Sequence, residues 1–326
     1  MPRVLLTSTS FQDTPGSHHD LLRSAGWEVA TARGPLSEPD NLALMGEFDG
    51  YICGDDAVTA AVLDRALPRL KVISKYGIGT DKIDLAAATA RGIPVLFTPG
   101  VNHTPVAEHA FLLLLALERN LLFHADSTRA GGWKRKTGFE LLGKTLGIVG
   151  LGRIGREVAV RAKAFGMELV GFGRHWDAPF AAAHGIRRME TVRDLMRVSD
   201  YVSLHTDLKP ETRDLIRAET IAHLKPGALV INLARGEVVN TADVAAALRE
   251  GRLRGYASDV LDQEPPPPDH PLTKLPNALI TPHIASRTAE SVQRQASCAV
   301  ENLAKAFRGE KPEGVKNPEV PFKRHF

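Results

Sequence analysis

Leu146-Gly147-Ile148-Val149-Gly150-Leu151-Gly152-Arg153-Ile154-Gly155 decides the fold of this chain. The apolar Leu146–Val149 reads as a buried strand, and Arg156 to Phe165 reads as a helix stopped by Gly166. Strand, glycine turn and helix in succession are the setting in which this glycine spacing binds a dinucleotide. Gly150 permits the tight turn, Gly152 lets the backbone approach a pyrophosphate, and Gly155 lets the helix pack close to the strand. The N–H groups at the helix start, around Arg153 and Ile154, then face the phosphates at the positive end of the helix.

Downstream, further apolar runs continue the series at Glu168–Phe172, Tyr201–Leu204, Leu229–Asn232, Gly255–Asp259 and Ala278–Ile280. Upstream, strand patterns at Val4–Leu6, Glu28–Ala30, Gly50–Cys53, Lys71–Ser74 and Pro94–Phe97 alternate with helical ones, including Asp20–Ala25, Thr59–Ala66 and Leu85–Ala90. Alternation of this kind implies parallel sheets covered by helices. One long helix is expected from Pro105 to Arg129, with Thr104 as its N-cap. The amphipathic segment Thr288 to Phe307 is expected to return to the first domain. The expected class is α/β with two doubly wound domains. A discontinuous flavodoxin-like substrate domain covers 1–103 plus 287–326, and a Rossmann nucleotide-binding domain covers 104–286.

The composition, 43% hydrophobic and 24% charged over 326 residues, is that of a globular enzyme. The net charge of +3 is scattered, with no basic stripe carrying interleaved aromatics, which argues against nucleic acid. The apolar stretch Ala110–Leu117 is too short to span a bilayer, and Met1–Ser10 reads as a first strand rather than a signal peptide. Cys53 and Cys298 form no metal-spaced pair and no disulfide framework, so a reducing, cytoplasmic setting is expected. His18-His19 has no metal-ligand partner spaced nearby and reads as a solvated loop; no metal is expected.

Three segments follow strands of the second series: Ile231–Gly236, Ser258–Pro265 and Thr281–Ala285. Ligands of open α/β sheets bind beyond the carboxyl ends of the strands, so all three are expected near the fingerprint. Hydride transfer to a 2-oxo acid needs a fork of donors for the carboxylate and ketone, a proton donor working near neutral pH, and a carboxylate that orients it and stabilises its cation. Arg235, His283 and Glu264 fit these roles in that order. Singly, each has an ordinary reading as an ion-pair, turn or loop residue. Together behind a nucleotide fingerprint, they form a catalytic trio.

These motifs resemble the D-isomer-specific 2-hydroxyacid dehydrogenase family, above all its phosphoglycerate dehydrogenase and hydroxypyruvate reductase branches. The resemblance covers almost the whole chain and includes Gly77-Ile-Gly-Thr-Asp81, Asn102, Glu108, Asn232–Gly236, Asp259–Pro265 and Thr281–Ile284. It implies that Arg235 binds substrate and that Glu264 and His283 form a proton relay. It also implies that the backbone at Tyr76-Gly77-Ile78 receives the substrate carboxylate, with Asn102 close by, and that Asp259 meets the nicotinamide amide. Lys75 falls where phosphoglycerate enzymes place a cation near the substrate, and a surface lysine is its other reading. His205, Thr206, Leu233 and Ala234, just past strand ends, complete the expected cofactor contacts. The family also implies a substrate cleft between domains and a homodimer built on the long helix.

The acid that reads the ribose in NAD-dependent relatives is expected at the end of the second strand, where this chain has Gly173-Arg174. Arg174 would pair with a 2′-phosphate, so NADP is the expected cofactor and NAD the alternative. Alternatively, Arg174 faces solvent or stacks on the adenine, and Asp177 folds back to the ribose. Phosphoglycerate enzymes often carry an arginine where this chain has Gly54-Asp55-Asp56, and an acidic loop would repel a phosphate ester unless it points away. That loop, and an end at Phe326 without regulatory domains, favour a small 2-oxo acid such as glyoxylate or hydroxypyruvate. Phosphoglycerate oxidation or phosphite-type oxidation stands as the alternative, with a non-catalytic nucleotide-sensing corepressor last.

Overall fold

The computed structural model describes residues 1–325. Two compact units make up the chain, Met1–Asn102 with Arg287–Phe326, and His103–Ser286.

The first unit opens with β1 (Arg3–Leu6), α1 (Thr9–Asp13), α2 (His18–Ser24), β2 (Glu28–Thr31), α3 (Glu38–Leu44), β3 (Gly50–Cys53), α4 (Ala60–Ala66), β4 (Val72–Lys75), α5 (Leu85–Ala90) and β5 (Val95–Leu96). Its five strands are parallel in the order β2-β1-β3-β4-β5, the flavodoxin-like winding. Side chains of Ser37, Thr59 and Asp84 accept a backbone N–H at the starts of α3, α4 and α5, which fixes where each helix begins. Cys53 is fully buried in β3, and burial pushes its thiol pKa far up.

The second unit runs α6 (His103–Glu118), α7 (Leu121–Arg129), β6 (Thr145–Val149), α8 (Arg153–Ala164), β7 (Glu168–Phe172), α9 (Ala178–His184), β8 (Ile186–Arg188), α10 (Val192–Val198), β9 (Tyr201–Leu204), α11 (Ala218–Ile221), β10 (Ala228–Asn232), α12 (Thr241–Arg249), β11 (Leu253–Ser258) and β12 (Ala278–Ile280). Its seven parallel strands are ordered β12-β11-β10-β9-β6-β7-β8, with apolar clusters on both faces. The winding reverses between β6 and β9, so this switch point lies where the glycine fingerprint begins.

The chain then returns to the first unit in α13 (Ala289–Phe307), capped by Thr288. Val300, Leu303 and Phe307 of α13 enter a core with Val4, Ile52 and Leu96. Cys298 lies half-buried on this helix, and burial raises its thiol pKa as well.

Three expectations need correction. The long helix is two, α6 and α7, broken where Asn120 adopts a left-handed φ of 50°. Helix α6 begins at His103, so Thr104 lies inside it and is not the cap. His18 is buried rather than solvated: its ring bonds Gln293 Oε1 at 3.0 Å and the Phe11 carbonyl at 3.1 Å, tying α2 to α13.

Candidate active site

Two of the fingerprint glycines are dictated by packing, and the third by what the turn leaves open. Gly150 has φ +98°, and a Cβ there would lie 2.2 Å from the His205 carbonyl oxygen. A Cβ at Gly155 would lie 2.0 Å from the Gly150 carbonyl oxygen, so α8 could not approach β6. A Cβ at Gly152 would meet nothing within 4 Å, and no side chain of the described residues caps the helix there. The first turn of α8, with Arg153 exposed and Ile154 packed on the core, thus presents bare N–H donors to open space. These residues fit a dinucleotide pyrophosphate.

Around this turn, Gly173 follows β7 and Arg174 is exposed. Asp177 is committed elsewhere: it caps α9 by accepting the Phe180 N–H at 3.0 Å and pairs with Arg156 at 2.9 Å. His205 follows β9, with its Nε2 2.7 Å from Ser203 Oγ and its Nδ1 buried without a hydrogen-bond partner among the described residues. Burial lowers its pKa to about 3, so the ring is neutral. Thr206 beside it is half-buried.

Three strand ends build the chemical trio. After β10, the buried Asn232 clamps a turn: its side-chain oxygen accepts the Ala234 N–H at 3.0 Å, and its amide donates to the Arg235 carbonyl at 2.9 Å. Leu233 and Ala234 are nearly buried, and Arg235 Nη1 donates to the Ala234 carbonyl at 2.7 Å. The next residue must be glycine, because a Cβ on Gly236 would lie 1.9 Å from the Leu261 carbonyl carbon. The arginine loop therefore rests directly on the loop that carries Glu264.

Beyond β11, Glu264 Oε1 accepts the Leu261 N–H at 2.8 Å, and Oε2 lies 2.7 Å from His283 Nδ1. Both side chains are about one-third exposed. His283 follows β12 in a left-handed turn with φ 52°, uncommon for a residue with a side chain. Its N–H donates to the Asp259 carbonyl at 2.9 Å. The Asp259 carboxylate, 1% exposed, accepts from Thr281 Oγ1 (2.6 Å), Ile284 N (2.9 Å) and Ala285 N (2.7 Å). The structure thus brings Glu264 onto His283, sets the Arg235 loop against the Glu264 loop, and places Asp259 beneath the histidine turn.

The other expected residues belong to the first unit. Lys75, at the end of β4, is 4% exposed, and its ammonium donates to Asp55 at 2.9 Å and to the Tyr76 carbonyl at 3.2 Å. Asp56 turns inward and accepts from Thr7 Oγ1, Leu36 N and Gly54 N. Of the three amides expected to receive a carboxylate, two are used internally: Tyr76 N–H bonds Cys53 O at 2.9 Å and Gly77 N–H bonds Thr98 Oγ1 at 3.0 Å. Gly77 needs its glycine for φ +123°. Among the described residues, the Ile78 amide is the one of the three left to turn toward a ligand. Asn102 holds a buried side-chain oxygen that meets no partner among them. Nor do any three His, Cys, Asp or Glu side chains of the described residues gather as a metal site would require.

The NAD-binding-domain model of the D-isomer specific 2-hydroxyacid dehydrogenases matches residues 111–285. The chain belongs to this family. It is 42% identical over 297 residues to a glyoxylate reductase of Thermofilum pendens, covering 88% of this chain and 86% of that one. A D-3-phosphoglycerate dehydrogenase of Methanocaldococcus jannaschii is 37% identical over 325 residues, 98% of this chain but 60% of the relative. The chain therefore spans less than two-thirds of the phosphoglycerate dehydrogenase it matches. A crystal structure of a Thermus thermophilus protein superposes with TM-score 0.86 at 42% identity, covering 96% of this chain and 99% of that one.

One contact at this site is not marked by the motifs. Thr281 and His109 meet at 2.9 Å, although 172 residues apart. The available signal was a histidine inside the apolar run of α6.

Proposed function

We propose that this protein reduces a small, unphosphorylated 2-oxo acid such as glyoxylate or hydroxypyruvate to the D-2-hydroxy acid, reversibly, with a nicotinamide cofactor. The observation that carries the reading is the His283 Nδ1–Glu264 Oε2 contact of 2.7 Å at the strand ends. With Nδ1 on the carboxylate, Nε2 is the nitrogen that serves the substrate. The nicotinamide supplies the hydride for the carbonyl carbon. His283 Nε2 donates a proton to the carbonyl oxygen, and Glu264 stabilises the imidazolium before transfer. Arg235 holds the carboxylate and polarises the ketone through its guanidinium fork. The first unit serves as substrate domain in this reading, with the Ile78 amide and the Asn102 side chain as its candidate carboxylate donors.

Charge in the first unit favours a substrate with a single anionic group. The buried Lys75 ammonium is already matched by Asp55 rather than held ready for a phosphate ester, and Asp56 serves the fold. NADP is the preferred cofactor in this reading: Gly173 supplies no carboxylate, Arg174 is exposed, and Asp177 is held by α9 and Arg156. The exposed apolar side chains Leu112, Leu121, Leu122, Phe139 and Leu142 support a homodimer through α6, α7 and the segment after them. Two unpaired cysteines support a cytoplasmic setting.

Steady-state kinetics on glyoxylate, hydroxypyruvate, 3-phosphohydroxypyruvate, phosphite and formate test the substrate. The reading expects the highest kcat/KM on one of the first two, and a preference for the phosphorylated acid overturns it. Comparison of NADPH with NADH, in wild type and in Arg174→Ala, tests the cofactor. A wild-type preference for NADH, or a ratio indifferent to the substitution, refutes the NADP assignment.

A further inference from the structure

His109 of α6 is half-buried and reaches the turn that carries His283. Its Nε2 lies 2.9 Å from Thr281 Oγ1 and 3.6 Å from Asp259 Oδ1. The Thr281 hydroxyl has one hydrogen, given to Asp259 Oδ1 at 2.6 Å, so toward His109 it can only accept. The imidazole must therefore carry its proton on Nε2. A directed chain results, from His109 Nε2–H to the Thr281 hydroxyl to the Asp259 carboxylate.

Asp259 uses its remaining capacity on the Ile284 and Ala285 N–H groups, the two residues after His283. Its own carbonyl accepts the His283 N–H. The left-handed backbone at His283, φ 52°, is thus pinned on both sides by one buried residue. Strain of this kind persists only where the surroundings over-determine it.

We propose that His109, Thr281 and Asp259 are positioning residues, a buried network that holds the His283 turn in its left-handed form and so aims the imidazole at the substrate carbonyl. The proposal rests on His283 being the proton donor, as inferred above. His109 keeps Thr281 in the rotamer that feeds Asp259, and Asp259 fixes the turn. Burial lowers the His109 pKa against the opposing pull of Asp259, so the neutral ring required by the chain is the form present near neutral pH.

The test joins kinetics to spectroscopy on the full chain. Thr281→Val keeps the shape and removes the hydroxyl. It should lower kcat for glyoxylate or hydroxypyruvate by about 10- to 100-fold, the scale of a misaimed catalytic group. Cofactor affinity, measured by titrating nucleotide fluorescence, should hold, and Thr281→Ser should recover most of the lost kcat. His109→Leu should move kcat in the same direction. Nitrogen-15 NMR of the wild type should show His109 as the Nε2–H tautomer. A Thr281→Val enzyme with wild-type kcat, a kcat loss that only tracks lost cofactor binding, or an Nδ1–H tautomer at His109 overturns the network. His283→Ala is measured alongside. If that variant stays active, or the wild type reduces no 2-oxo acid, the assignment of His283 fails instead, and the tautomer still decides whether the network exists.

Discussion

At the scale of single residues, the Glu264 carboxylate divides its two oxygens between the Leu261 backbone and His283, and this division gives separable expectations. His283→Ala should cut kcat by about 10²–10⁴ while nucleotide still binds, since general acid catalysis is worth that much. Glu264→Gln keeps an acceptor for Nδ1–H but loses the charge that favours the imidazolium, so it should be slower than wild type yet faster than His283→Ala. Steady-state kinetics on one 2-oxo acid rank all three, and equal rates in wild type and Glu264→Gln would remove the carboxylate from the chemistry. His205 gives a pH expectation. Burial holds its folded pKa near 3, against about 6.5 unfolded. Between those values the unfolded chain binds a proton that the folded chain refuses, so stability is full above about pH 6.5 and falls with pH down to about 3. The slope is about 1.4 kcal/mol per unit for this residue. Urea unfolding at pH 7 and pH 5 should show His205→Gln losing less stability than wild type over that interval.

At the scale of elements, α6 is anchored to β11 by an ion pair. Arg254 donates to both oxygens of the wholly buried Glu118, at 2.7 and 2.6 Å. Losing one partner strands the other charge, at about 3 kcal/mol, the lower end for buried pairs because Arg254 is about one-third exposed. Arg254→Met should lower the urea midpoint accordingly; a shift under about 0.5 kcal/mol would mean the pair is structurally idle. Gly236→Ala should be disproportionately harmful to kcat, since its Cβ would push the Arg235 loop off Leu261 and Asp262. These elements also show what a sequence discloses. The glycine spacing at 150–155 is local and was legible, as were the strand-ending motifs that carry Arg235, Glu264 and His283. The break at Asn120 was not, because neither proline nor glycine marks it and a left-handed asparagine depends on its surroundings. Nor was the bond between His109 and Thr281, which exists only after α6 packs beside β10 and β11. His18 misled for a related reason: its partners Gln293 and Phe11 are brought to it by α13 and α1.

At the scale of the whole molecule, the second unit leaves its large exposed apolar side chains along one part of the sequence, from Leu112 to Phe165, with Trp133 75% and Leu142 70% exposed. Helix α7 buries no residue at all within the described chain. A surface of that kind calls for a partner, and a second copy is the one proposed here. Sedimentation of the wild type should give about twice the mass of the 35.4 kDa chain, and Leu122→Glu with Leu142→Glu should halve it. A monomeric wild type at micromolar concentration would leave the patch unexplained and refute the dimer.

The two native thiols have a use apart from chemistry. Cys53 is sealed inside β3 and Cys298 is half-buried on α13, and burial raises both pKa values, so neither offers much thiolate at neutral pH. The wild-type chain should accordingly ignore maleimides. A dye pair introduced through Ser24→Cys and Ala183→Cys, both at exposed positions and one on each unit, would then report an intramolecular distance against a dark background. The native cysteines make the chain ready for a spectroscopic ruler, with which the distance between those two positions becomes directly measurable.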